Sequence, residues 1–413
     1  RIKAEINENH IVFTALEPGD AIYLVYTLEE KYNTRKLAQY FEDNCYFAYP
    51  MPYLKIKYSL LIPPKIKFKY VFSTDSIKPK MQNLNEFNLY VWEKEKGNSI
   101  KYEDKMPAVS DIAPVLYLSS IPDWTHISNW YADIALSKAK PDDEIKEIVN
   151  GLFQNKNSLS ETDKAKLIYS YIVNNIRYSS VPFLQNGIVP QKASKVVNIK
   201  LGDCKDLATL FVAMCKVAKL EAGLVLVNTA DRGIKGMPLP SVQFNHCIAS
   251  LKIKNNKYYI DLTSDWLPFN STYSGLSDAF SLEIKSEFDS VQVKPVILNS
   301  STNRIKNSCN YNTRISILKK DVIVSYTAIK TGYYAAISRA WFKNIGRTEQ
   351  EKRLQQMLQS EYQNVQLDKF EMKNLENQND TVISNVAYTS KDNLKVAGTL
   401  KLFSLPWGTK ASS

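Results

Sequence analysis

Hydrophobic residues recur at every second position through much of the first 120 residues, as in Ile66, Phe68, Tyr70 and Phe72 set against Lys67, Lys69 and Val71. Phe87, Leu89 and Val91 repeat that spacing, which is the period of a strand with one buried face. Pro18-Gly19-Asp20 marks a turn into a strand over Ile22 to Tyr26, and Pro63-Pro64 separates two further runs. Short strands divided by turn signals predict a β-sandwich-like N-terminal domain over residues 1–123.

The period changes near Trp124. After Pro141, residues Ile145, Ile148, Val149 and Leu152 share one helical face, and Asp142, Asp143 and Glu144 occupy a first turn whose dipole favours acids. Ser160-Glu161-Thr162-Asp163 reads as a cap, followed by Ala165, Ile168, Ile172 and Ile176 at helical spacing. A third helix starts at about Cys204, with a buried stripe of Leu207, Leu210, Phe211, Met214 and Ala218 and a stop at Gly223. Leu224 to Val227 begins a strand. Gln243 to Ile253 and Lys257 to Leu262 are two more, joined by the hairpin signal Asn255-Asn256. These elements predict an α+β core over 124–290.

From about Pro295 the alternation returns in Arg314 to Leu318, Val322 to Tyr326 and Thr381 to Tyr388. One helix interrupts it, with Thr348-Glu349-Gln350-Glu351 as a capping box and Leu354, Met357, Leu358 and Tyr362 on one face. The last domain is therefore expected to be β-rich over 291–413.

Composition fits this division. A length of 413 residues suits two or three domains, and 44% hydrophobic with 23% charged residues is ordinary for globular chains. Each domain can bury its own core without disulfide or metal staples. The longest apolar stretch, Leu207 to Val227, is broken by Lys216, Lys219 and Glu221, so no membrane span is expected. The net charge of +11 raises the idea of an anionic partner. The lysines, however, are scattered singly along strands, as on solvated faces, and no basic run, zinc-finger spacing or aromatic RNA-binding signature accompanies them. Nucleic acid is not an expected partner. The five cysteines are an odd, unpatterned set that excludes a disulfide framework, and at least one thiol must be free or paired with another chain. No paired Cys or His spacing points to a metal, and no glycine loop to a phosphate, so no cofactor is expected.

The chemistry concentrates in Leu201-Gly202-Asp203-Cys204-Lys205-Asp206-Leu207. It places a thiol in the first turn of a helix, where free N–H groups and the dipole favour a thiolate. Phe244-Asn245-His246-Cys247 follows on a strand, and Tyr259-Ile260-Asp261-Leu262-Thr263 on the next. Thiol, imidazole and carboxylate on neighbouring elements are the parts of a nucleophile, its base and the group that orients the base. Cys247 alternates to the other strand face, and Cys215 lies about three turns along the helix, in packing.

The order and spacing of Gly-Asp-Cys-Lys-Asp, Phe-Asn-His and Ile-Asp-Leu-Thr resemble the transglutaminase-like superfamily of papain-type cysteine enzymes. Tyr171 to Tyr178 resembles the helix and tyrosine before that family's nucleophile. Trp124, Trp130 and Tyr131 resemble its linker, and Pro18 through Tyr26 resembles the β-rich domain of bacterial multidomain members. The resemblance implies Cys204 as nucleophile, His246 as base and Asp261 as orienter. It implies cysteine-dependent acyl transfer on amides, by hydrolysis or by transfer to an amine, with a protein or peptide substrate. It also implies an extracytoplasmic location, which the start at Arg1 suits as a trimmed product. The oligomeric state is open at this level.

Two assignments stay open on the residues themselves. A two-residue Asn255-Asn256 turn pairs positions summing to 511, which sets Asp265 opposite His246. Asp261 would then stand four residues away, ~13 Å along the strand. Asp265 is thus the alternative third member. For the oxyanion, the backbone N–H of Cys204 is one donor, and Tyr178 or Gln185 the other. The rival functions are a non-catalytic module that binds a protein or surface polymer, and an anion-binding protein with clustered lysines.

Overall fold

The computed structural model describes residues 5–7, 10–13, 16–27, 37, 39–74, 77–97, 99–104, 106–156, 158–180, 187–285, 292–298, 307–362, 364–378 and 381–403. The chain forms two compact units, 1–39 and 40–413. In the smaller, Glu5–Asn7 and His10–Val12 pair as an antiparallel hairpin. The strand expected over 22–26 does not form: those residues join no ladder and their side chains are exposed.

The larger unit begins with a β-sandwich. Glu42–Tyr46 and Lys69–Phe72 flank Val115–Ser119 in one antiparallel sheet, while Tyr53–Ile62 and Lys80–Leu84 flank Phe87–Gly97 in another. Phe47, Trp92, Leu116 and Leu118 fill the space between them. The run from Ile66 yields a strand only from Lys69. The cause is local: the Ile66 N–H donates to the Pro63 carbonyl, which commits Ile66 to the proline turn.

In the core, a five-stranded antiparallel sheet runs in the order Asn256–Ile260, His246–Ile253, Glu221–Asn228, Phe280–Glu283, Val296–Ile297. The central helix Cys204–Val217 packs on it, and Asp143–Phe153, Glu161–Asn175 and Ala193–Ile199 close around that helix. The Asp142 and Ser160 side chains cap two of these helices, accepting from the Ile145 and Asp163 N–H groups. Every residue from Cys204 to Cys215 is buried, so the expected one-sided stripe is instead a helix covered all round. Its stop is Lys219, in the left-handed region at φ 59°, rather than Gly223. Gly223 lies within the following strand, where a Cβ would stand 3.2 Å from Ser250 Oγ.

The C-terminal region is a four-stranded antiparallel sheet, Cys309–Leu318, Asp321–Lys330, Val382–Ser390 and Val365–Lys373, with helices Gly332–Phe342 and Arg347–Glu361. Leu354, Leu358 and Tyr362 are buried as expected, whereas Met357 is 46% exposed. The anticipated Thr348 cap does not form; Gly346 precedes the helix without a side-chain bond. Among the described residues no helix is long and apolar enough to cross a membrane.

The expected boundary at 123/124 falls inside the larger unit, where sandwich and core share many polar contacts. The Glu42 carboxylate accepts the Val242 N–H at 3.0 Å, Asn44 Nδ2 donates to Gln243 Oε1 at 2.7 Å, and Ser119 Oγ donates to the Pro240 carbonyl at 2.7 Å. Asp111 is buried and takes the Ile234 and Lys235 N–H groups, one on each carboxylate oxygen, both at 3.0 Å. The loop so fastened leads directly into His246. Asp111→Ala should lower the unfolding free energy by about 1–3 kcal/mol, the cost of leaving buried donors unmet. Asp111→Asn should lose less, because one oxygen remains; urea denaturation of the two variants measures both.

Candidate active site

Cys204 owes its position to a carboxylate network at the start of the central helix. The Asp203 side chain accepts the Asp206 N–H, and Asp206 Oδ2 accepts the Asp203 N–H, each at 3.2 Å, which closes a capping box around the thiol's own turn. Asp206 is held in turn by Gln191, whose backbone N–H reaches Oδ1 at 2.7 Å and whose Nε2 reaches Oδ2 at 3.0 Å. The Lys205 ammonium pairs with the Asp203 carboxylate, both being buried. Burial pushes the Asp203 carboxyl up, and Lys205 opposes it. Gly202 is required here: a Cβ at that position would meet Asp206 Cβ at 2.9 Å. Cys204 itself is 4% exposed.

His246 is the first residue of its strand, and the loop before it is pinned from both sides. Asn245 Nδ2 donates to Thr229 Oγ1 at 2.6 Å, and the Thr229 N–H donates to Asn245 Oδ1 at 2.9 Å. His246 Nε2 meets Asp261 Oδ2 at 3.2 Å, with both groups buried. The other carboxylate oxygen, Oδ1, accepts the Thr263 N–H at 2.9 Å and the Thr263 hydroxyl at 2.7 Å. The Cys204 thiol lies near enough to the imidazole to help raise its pKa. Burial pulls the imidazole pKa down, but the charge and hydrogen bond of Asp261, helped by Cys204, outweigh it and raise the value to about 10. For Asp261, burial pushes up, and the His246 charge and hydrogen bonds from His246 and Thr263 bring the carboxyl below its ordinary value.

The hairpin register explains this pairing and corrects the expected one. Ile253 pairs with Asn256 and Ser250 with Tyr259, so paired positions sum to 509 rather than 511. The turn is Lys254-Asn255, with Lys254 in the left-handed region at φ 53°. Asp261 is then only two residues along from the position facing His246, on the same face and within side-chain reach. The ladder ends at Ile260, which frees Asp261 to turn towards the ring. Asp265 does not take that place. Its carbonyl accepts from Gln378 Nε2, burial pushes its carboxyl up, and it lines a hollow of about 500 Å³ with Tyr178 and Thr263.

Tyr178 pairs with Gly202 in a short parallel ladder. Burial, followed by the nearby Cys204, pushes its hydroxyl up to about 12. Gln185, the other suggested oxyanion donor, lies outside the described residues. Cys247 lies beside the site, where burial and then the nearby Cys204 push its thiol up; burial raises Cys215, and burial with Asp43 raises Cys45 to about 11. Two neighbours of the site had no role in the sequence reading. Tyr273 meets the His246 ring edge-on, centroids 6.2 Å apart, from an irregular loop without a periodic signal. Gln191 anchors Asp206 from a similarly irregular stretch.

A buried helix carrying a thiol, set against an antiparallel sheet carrying imidazole and carboxylate, has the architecture of a papain-like α+β core. Comparison with protein families agrees: residues 146–269 match the transglutaminase-like superfamily, and residues 7–101 match DUF3857, a domain of unknown function with solved structures. The core is thus transglutaminase-like, preceded by a β-rich DUF3857 domain. Among solved structures, a candidate protease from Parabacteroides distasonis superposes with a TM-score of 0.51 at 9% identity, covering 85% of this chain and 69% of its own. A candidate cysteine protease from Cytophaga hutchinsonii matches at 12% identity and TM-score 0.27, covering 62% of this chain and 88% of its own. A TGase matches at 14% identity and TM-score 0.22, over 48% and 52% respectively. No curated protein matches the chain.

The ion pair sets a pH dependence of stability. A His246 pKa raised to about 10 contributes stability that is complete below the unfolded value of 6.5 and is lost as pH rises towards 10. The lowered Asp261 pKa contributes stability present above its unfolded 3.8 and lost as pH falls through the folded value. The pair therefore stabilises most between about pH 4 and 6.5. Urea denaturation across pH 6–10 should show the wild-type chain losing stability relative to His246→Gln, whose profile lacks this component.

Proposed function

We propose that the core performs cysteine-dependent acyl transfer on an amide of a protein or peptide. The observation that carries this is the buried line of thiol, imidazole and carboxylate, Cys204–His246–Asp261. His246, held charged by Asp261, supplies the cation that steadies a Cys204 thiolate. The thiolate attacks the amide carbonyl carbon, the C–N bond breaks, and the amine leaves with the proton from His246. A thioester remains on Cys204. Water, deprotonated by the neutral His246, then releases a carboxylic acid; an amine in its place gives a new amide. The Cys204 backbone N–H at the helix start is one donor to the oxyanion, and the Tyr178 hydroxyl is the proposed second. Hydrolysis is the favoured outcome, because a hollow of about 350 Å³ lined by the polar side chains of Ser179, Gln191, Asp203, Lys205 and Asp206 opens beside the thiol's turn.

A non-catalytic binding role is favoured by one observation, the 4% exposure of Cys204. Thiol reactivity decides between the two. At about pH 6, limiting iodoacetamide should alkylate Cys204 before Cys45, Cys215 and Cys247, and His246→Ala should slow that labelling, as read by peptide mass spectrometry. If Cys204 is the slowest thiol, or its rate ignores His246→Ala, the binding role takes over. Once a substrate amide is in hand, Asp261→Asn should cut the rate roughly 10²–10⁴-fold, and Asp265→Asn far less. Equal losses would remove Asp261 from its role.

A further inference from the structure

A third hollow, of about 280 Å³, opens where the sandwich meets the loop before His246. Its wall is rich in hydrogen-bond donors. Arg232 makes no ion pair among the described residues, and its carbonyl is fixed by Ser110 Oγ at 2.6 Å. Tyr46 and Tyr117 line the hollow from the sandwich; burial raises both hydroxyls, Tyr117 to about 12, so they remain donors at neutral pH. Asn228 is 8% exposed, and no hydrogen bond is made by its side chain among the described residues. Gln243 has its Oε1 occupied by Asn44, which leaves its amide N–H₂ as the free end. Against these donors, Asp231 is the one carboxylate lining the hollow among the described residues; Asp111, near enough to act on Tyr46 and Tyr117, has its oxygens taken by the Ile234 and Lys235 N–H groups.

The hollow approaches the site through its Asp231 end; Asn228, which follows Val227, the residue paired with His246, turns its side chain to the other sheet face. Asp231 acts electrostatically on Tyr273, the ring that meets His246 edge-on at 6.2 Å. A polar pocket with a guanidinium, two phenols and a buried unmatched amide fits an acceptor-rich anionic group.

We infer that this hollow binds a carboxylate of the substrate peptide beside the bond to be cleaved, with Arg232 as its charge partner and Tyr46, Tyr117 and Asn228 as further donors. The inference rests on the amide-substrate reading for the nature of the ligand. The carboxylate can belong to an acidic side chain or to the peptide's own C-terminus, and the test separates these sources.

The experiment uses the full chain with Cys204→Ala and fluorescence anisotropy at low salt. Three rhodamine-labelled peptides serve as probes: Gly-Ala-Glu-Ala-amide, Gly-Ala-Gln-Ala-amide, and Gly-Ala-Ala-Ala with a free C-terminal carboxylate. At least one carboxylate peptide should bind roughly tenfold tighter than the glutamine peptide, the magnitude of a charged hydrogen-bonded contact. A gain for the glutamate peptide assigns the hollow to side chains, and a gain for the free acid assigns it to chain ends. Arg232→Gln should erase the preference, Tyr46→Phe should reduce it, and Lys65→Gln/Lys67→Gln, on the distant sandwich surface, should leave it intact. Equal binding of all three peptides overturns the inference. So does a preference that survives Arg232→Gln, or one that the lysine variant loses equally to general charge. Because the protein tested lacks the thiol, the result is independent of whether Cys204 reacts, and a failure of Cys204 labelling would sink the catalytic reading alone.

Discussion

A carboxylate with 1% exposure is the constraint on which the rest of the site depends. Removing such an ion from water costs several kcal/mol unless charge and hydrogen bonds replace its hydration. Asp261 meets that demand with His246 on one oxygen and two Thr263 donors on the other. Three donors must converge on one point, so the backbone has little freedom nearby. The sheet must end at Ile260 and the hairpin must turn at Lys254-Asn255, which gives paired positions summing to 509. A slip to 511 would move the carboxylate two residues further from the ring and leave it buried without its cation. The left-handed Lys254 is a small local cost beside that penalty.

The helix start obeys the same logic with different groups. Asp203 and Asp206 cap each other's backbone, and the buried Lys205 offsets the charge that this arrangement gathers. Sequence neighbours therefore hold Cys204 on both sides, and a residue distant in sequence, Gln191, holds Asp206. The thiol sits on a turn in which the Asp203 and Asp206 N–H groups are matched by side chains, and that turn rests on a helix buried all round. A scaffold of this kind fixes a reacting atom better than a loop would, since any displacement must break several buried hydrogen bonds at once.

Local signals carried much of this, and they failed where long-range contacts decide. The helices at Asp143–Phe153, Glu161–Asn175 and Cys204–Val217 were legible because capping acids and apolar spacing act within a few residues. The residues Cys204, His246 and Asp261 were legible as a motif. Their mutual reach was not, because it turns on which two residues make a hairpin turn, and Asn255-Asn256 and Lys254-Asn255 differ by one position. Gly223 read as a helix stop because glycine favours turns; the helix had already ended at Lys219, and Gly223 instead accommodates Ser250 on the next strand. The helix Gly332–Phe342 is not legible because its buried positions are mostly glycine, alanine and serine, with a buried arginine among them, and these carry little hydrophobic contrast. Residues 22–26 show the opposite failure: a strong strand pattern without a partner ladder, which periodicity cannot supply.

The imidazole is where the three segments of the larger unit converge. From the sandwich, Asp111, Glu42 and Asn44 fasten the loop that ends at His246. From the core, Thr229 binds Asn245 and lies near enough to Tyr273 to act on its hydroxyl. From the C-terminal region, Tyr333 meets Tyr273 at a tilt of 53° with centroids 6.5 Å apart. Asn307 locks that contact, donating to the Thr272 carbonyl at 2.9 Å and accepting the Tyr333 N–H at 2.8 Å. Tyr273 thus transmits the packing of a helix outside the core to the edge of the His246 ring. An imidazole that must face a thiol on one side and a carboxylate on the other tolerates little rotation about its side-chain bonds. Residues 146–269 supply the thiol, the imidazole and the carboxylate, but the contacts that restrict the ring's rotation come from segments across residues 40–413. The orientation of the imidazole is therefore a property of the entire compact unit, and the flanking β regions belong to the site's framework as much as to any binding surface they present.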